Sequence, residues 1–169
     1  VRAENQNRFS ALYGPANGVD MSSVGKADLD FTKVELRGLT LQEGSSKSRY
    51  FKSTTSDSGG GGLVGSIGDY GRFCQMLLNG GELDGERLLS PTTVRFMRTN
   101  QLPDDCDMAA MGQPVWSETS YDGIGFGLGF AVVLDPPKAS IITSKGEYHW
   151  GGAASTFFWV DPVEDLFVV

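Results

Sequence analysis

The residues best suited to chemistry crowd into one stretch. Between 146 and 169 the chain reads Gly-Glu-Tyr-His-Trp-Gly-Gly-Ala-Ala-Ser-Thr-Phe-Phe-Trp-Val-Asp-Pro-Val-Glu-Asp-Leu-Phe-Val-Val, and it holds His149, the one histidine of the sequence. An imidazole can take up or release a proton near neutral pH. Beside it Trp150 offers an apolar face and a single N–H donor. Gly151 and Gly152 follow, and a glycine pair in strand-like sequence marks either a bulge or a place where a ligand or another backbone comes close. The thiols are weaker candidates. Cys74 and Cys106 have no metal-ligand spacing. Cys74 falls on the apolar side of an expected helix, and Cys106 sits in Asp104-Asp105-Cys106-Asp107, a poor setting for a nucleophilic sulfur. They leave the compartment open.

Other chemistries find no pattern here. Gly59-Gly60-Gly61-Gly62 is not followed by Gly-Lys-Ser/Thr, and Gly125-Phe126-Gly127-Leu128-Gly129 has the wrong spacing for a dinucleotide turn. No Gly-x-Ser-x-Gly elbow occurs. A Ser-His-Asp triad on His149 stays open, with no local support. A metal site with one histidine would need clustered carboxylates or thiolates, which the spacing does not offer. No cofactor is therefore expected.

The elements that must position the stretch are legible. Its β-branched and aromatic content, broken at Asp161-Pro162, predicts two strands joined by a turn, with the glycine pair inside the first. Upstream, residues 123–134 alternate sharply. Ile124, Phe126, Leu128, Phe130, Val132 and Leu134 would share one face of a single strand, opposite Gly125, Gly127, Gly129 and Ala131. The clearest helix starts at Ser66 with Asp69 three residues on, a capping-box pattern. Tyr70, Phe73, Cys74, Leu77 and Leu78 form its apolar stripe, and Asn79-Gly80-Gly81 ends it. Residues 81–85 read as a turn. Ser90-Pro91 opens a second helix, with Val94 and Met97 facing inward. Residues 100–118 read as a long acidic loop, expected to form a rim or a lid. Before residue 58 the chain is irregular: residues 13–18 have loop chemistry, and Phe31, Val34, Leu36, Leu39 and Leu41 suggest short extended segments. Helices followed by three antiparallel strands make an α+β fold.

At 169 residues the chain fits one domain. A formal charge of −7 with scattered Lys and Arg argues against nucleic acid. No run of 18 apolar residues occurs, so no membrane partner is expected. The chain begins at Val1 without Met and stops in Leu166-Phe167-Val168-Val169, mid-strand. The expectation is a piece of a longer chain, whose exposed sheet edge would invite pairing with another copy.

The residues also carry a resemblance. Ser58-Gly-Gly-Gly-Gly-Leu-Val-Gly-Ser66, then Asp69-Tyr70 through Leu77-Leu78-Asn79-Gly80-Gly81-Glu82-Leu83-Asp84-Gly85, then Leu88-Leu89-Ser90-Pro91, resemble the β-lactamase-related serine hydrolases. That family includes penicillin-binding-protein-like esterases, DD-peptidases and class C β-lactamases. Gly125-Phe126-Gly127-Leu128-Gly129-Phe130 and Trp150-Gly151-Gly152 through Asp161-Pro162 continue the match in order. It covers residues 58 to 169 well and the first 57 poorly. The resemblance implies the C-terminal portion of a single β-lactamase/transpeptidase-like domain over 1–169.

It also implies an acyl-enzyme mechanism, in which a Ser in Ser-x-x-Lys attacks a carbonyl, with a Tyr in Tyr-x-Asn, and backbone N–H groups hold the oxyanion. The third motif of the family maps to Trp150-Gly151-Gly152, with the Ala153 N–H as an oxyanion donor. A register one residue earlier puts His149 first and makes Gly152 the donor. Trp150, Gly151 and His149 would border the substrate, a small ester or amide. Ser23-Val24-Gly25-Lys26 fits Ser-x-x-Lys as a string, yet Gly25 and its polar surroundings oppose the helix that motif should open. None of the five tyrosines has Asn two residues later. The nucleophile is thus expected in a missing N-terminal part of the same domain, and the isolated chain to be inactive. Trp150 in place of a cation tilts the parent toward esters with apolar groups. A β-lactamase or DD-peptidase fragment, and a non-catalytic interaction module, are the alternatives.

Overall fold

A computed structural model describes residues 3–15, 38–52, 58–111, 120–152 and 154–169. Ser23, Lys26, Phe31, Val34 and Leu36 lie outside them, as does Ala153. Two compact units divide the chain, Val1–Gly65 and Ser66–Val169.

In the first unit β1 (Leu12–Pro15) pairs antiparallel with β2 (Leu39–Glu43) across a bulge between Leu12 and Tyr13. The loop expected over 13–18 therefore begins as a strand, because its register with Leu39, Thr40 and Leu41 satisfies the backbone that a loop would leave to water. Ser48 is buried and donates to Glu43, whose carboxylate also accepts from the Arg49 N–H at 2.9 Å. Phe9 packs edge-on against Phe51 at 5.2 Å.

In the second unit α1 (Ile67–Leu78) starts as its sequence requires. The Ser66 hydroxyl accepts from the Asp69 N–H at 3.1 Å and the Asp69 carboxylate accepts from the Ser66 N–H at 3.2 Å. At its end the Gly80 N–H reaches Leu77 O and the Gly81 N–H reaches Met76 O, a Schellman cap with Gly80 at φ 69°. Its buried residues are Cys74, Met76 and Leu77. Tyr70 and Phe73 are part-exposed, so the buried stripe is rotated toward Met76. The turn expected over 81–85 is a small hairpin of β3 (Glu82–Leu83) and β4 (Glu86–Arg87). Asp84 and Gly85 both take positive φ there, the Asp-Gly preference of such turns. Helix α2 (Pro91–Met97) is capped by Ser90, with Val94 buried.

The remaining strands form one antiparallel sheet of five, in sequence order: β5 (Ile124–Phe126), β6 (Ala131–Val133), β7 (Tyr148–Gly151), β8 (Phe157–Asp161) and β9 (Leu166–Val168). Helices and antiparallel strands follow one another along the chain, an α+β arrangement. Two expectations need correction. Residues 123–134 are two strands, not one. The Gly127 N–H bonds Phe130 O at 2.8 Å and Gly129 takes φ 97°, so the chain folds back and Ile124 faces Val133 across the ladder. Residues 146–169 are three strands, not two. The glycine pair sits at the end of β7 and in the following turn, where the Gly152 N–H bonds Thr156 O at 2.8 Å.

Alternation then sorts the core. Val132, Tyr148, Phe158 and Val160 pack with Cys74, Met76 and Leu77 of α1 and Val94 of α2. Ala131, Val133 and Ile124 pack with Met108 in a second cluster, joined by Leu102, Tyr121 and Ala139. Burial pushes the Cys74 thiol up to about 11, which makes it an inert core residue.

Candidate active site

Strand β7 lies inside the sheet, with Ala131 opposite His149 on β6 and Trp159 opposite it on β8. Each side chain of the stretch takes its surroundings from that register. Tyr148 is buried on the α1 side, and burial pushes its phenol up from the ordinary range. Trp150 is half-buried, stands edge-on to Phe126 at 5.1 Å, and touches both core clusters. Gly151 and Gly152 are exposed. A Cβ on Gly151 would lie 3.0 Å from the Phe157 ring, so the bare backbone is what lets that ring lie across it.

His149 points to the face opposite Tyr148. Its ring stacks on Phe157 with centroids 5.6 Å apart. Its Nδ1 lies 3.4 Å from a Glu147 carboxylate oxygen, and the two side chains are only 13% and 12% exposed. The other Glu147 oxygen accepts from the Thr143 hydroxyl. Glu147 was not picked out from the sequence, although a residue two positions before His149 on a strand must share its face.

The five predicted site residues therefore divide. His149, Trp150, Gly151 and Gly152 are contiguous at one end of β7, and Ala153 lies outside the described residues. The Gly152 N–H is engaged inside the hairpin. Among the described residues no cluster of three or more His, Cys, Asp or Glu could hold a metal ion. A shallow groove of about 360 Å³, floored by Phe73, Met76, Leu83 and Leu88, shares no residue with this stretch.

Comparison with known proteins decides the family, because the Beta-lactamase family model matches residues 1–169. This chain belongs to the Beta-lactamase family. Two curated relatives are 41% identical over 114 residues: the uncharacterized protein MT1414 of Mycobacterium tuberculosis strain CDC 1551 / Oshkosh and protein Rv1367c of strain ATCC 25618 / H37Rv. Each alignment covers 65% of this chain and 27% of the relative. The matched stretch thus spans about a quarter of the length of those relatives, neither of which carries a name that states an activity.

Proposed function

We propose that this chain is part of a serine hydrolase that acts through an acyl-enzyme on carboxylic esters. In this reading Trp150-Gly151-Gly152 is the third active-site motif, and the Ala153 N–H is one donor of the oxyanion hole. The observation that carries it is the conjunction at the end of β7: two exposed glycines beside a half-buried indole, in a chain of the Beta-lactamase family. The engagement of the Gly152 N–H with Thr156 O supports Ala153 over Gly152 as the donor. Trp150 presents an apolar wall where a cation would favour a carboxylate, which supports ester substrates with uncharged groups. The attacking serine and its lysine belong to polypeptide upstream, in keeping with the relatives' greater length.

The test has two steps. The isolated chain should take up no fluorophosphonate probe, and stoichiometric labelling at Ser23 would overturn the assignment. Adding the upstream region in trans should then restore p-nitrophenyl ester hydrolysis. Continued silence would favour a non-catalytic module that keeps the fold.

A further inference from the structure

Among the described residues only two side-chain polar atoms are buried without a hydrogen bond, Tyr148 Oη and His149 Nδ1. The first is enclosed by the α1 side of the core. The second has a carboxylate oxygen 3.4 Å away, close but not aligned for a hydrogen bond. That carboxylate is itself held, because Thr143 Oγ1 donates to its other oxygen. The strand backbone is pinned on both sides, by Ala131 and by Trp159. Phe157 covers the face of the ring, so the imidazole has little freedom except a small rotation about its own bond.

We infer that Glu147 is a positioning residue for His149. Thr143 fixes the carboxylate, the carboxylate accepts a hydrogen bond from Nδ1–H, which keeps its proton, and Nε2 is left as the unprotonated acceptor of the ring. A buried ring nitrogen facing an acceptor-only carboxylate has one way to be satisfied, which is to carry the proton. Catalytic hydrogen bonds in empty sites are commonly long and tighten when the site fills. The inference rests on the proposed function only for its use: there, His149 Nε2 borders the ester and accepts a hydrogen bond or proton from it or from water.

Since His149 is the one histidine in the sequence, its ring can be observed without assignment. Protein labelled with 15N-histidine is measured at about pH 9, where an ordinary imidazole is neutral. The Nδ1–H tautomer should exceed the Nε2–H form by roughly tenfold or more, the scale of a charge-assisted hydrogen bond. Glu147→Ala should reverse that preference, and Glu147→Gln, which keeps an acceptor, should retain part of it. A wild-type ring in the Nε2–H form overturns the inference, and this needs no variant to fold. An Nδ1–H signal that survives in Glu147→Ala overturns it as well. The readout involves no hydrolysis, so it can fail while the ester reading stands, and the ester reading can fail while it stands.

Discussion

Two glycine-bearing hairpins sit side by side in the same sheet and use their glycines for opposite ends. In the β5–β6 hairpin the missing side chains are filled by other parts of the chain. A Cβ on Gly127 would fall 2.1 Å from Met97 O, and one on Gly125 would fall 2.4 Å from Asn100 Oδ1. That Asn100 oxygen accepts from the Phe126 and Leu102 N–H groups, while its amide donates to Cys106 O and Asp105. The Gln101 N–H adds a bond to Phe126 O at 2.8 Å, so the outer edge of β5 is sewn shut. In the β7–β8 hairpin the glycines are exposed, and a Cβ would meet the Phe157 ring and the Thr156 hydroxyl most closely, with the Thr156 carbonyl oxygen 3.5 Å from the one on Gly151. Neither Gly151 nor Gly152 takes positive φ, so backbone conformation does not demand glycine there. The lesson is that one pair of glycines admits groups from distant parts of the chain, Met97 and Asn100, whereas the other admits only Thr156 and Phe157 of its own hairpin.

The comparison can be broken most directly at Gly127. Gly127→Ala should lower stability by about 3 kcal/mol in urea titration, because Met97 O is held by the Leu128 N–H at 2.8 Å and cannot swing away. A cost below about 1 kcal/mol would show that the first hairpin yields as readily as the second.

A smaller effect should come from the brace at the start of β5. Asp107 is buried and accepts from Lys138 Nζ, from the Gly123 N–H at 3.0 Å and from the Ala110 N–H at 2.9 Å. Lys138 first, then those two N–H groups, lower its carboxyl from 3.8 to about 2. A carboxylate whose pKa is lowered by folding stabilises the fold above its unfolded value. That contribution is present above about pH 4 and is lost as pH falls through about 2. Asp107→Asn should therefore cost about 2 kcal/mol near neutral pH. It should also flatten the acid limb of the stability curve, and an unchanged limb would remove Asp107 from the brace.

The smallest stability effect belongs to Gly152→Ala. The nearest obstacle is the Thr156 hydroxyl, which can rotate, so thermal unfolding should change by about 0.5 kcal/mol or less. If this position borders the ester, the same variant should nonetheless reduce hydrolysis by the enzyme assembled with its upstream region. A large loss of stability would instead make the second hairpin a structural twin of the first.

The amino-acid sequence by itself determined the two longer helices, because their signals are local, while the short helix Pro136–Ala139 was not read from it. Ser66 with Asp69, Ser90 with Pro91, and Asn79-Gly80-Gly81 each act within one turn of the backbone. It also determined the family, through the order of its glycine and aromatic motifs. Only the tertiary structure decided where the strands break. Residues 123–134 alternate as well in one long strand as in two short ones, and the choice falls to contacts from Met97 and Asn100 that lie more than 20 residues away. The pairing of Glu147 with His149 was likewise set by register in the sheet. Period-2 spacing says that two residues share a face, but the packing around that face says what they do there.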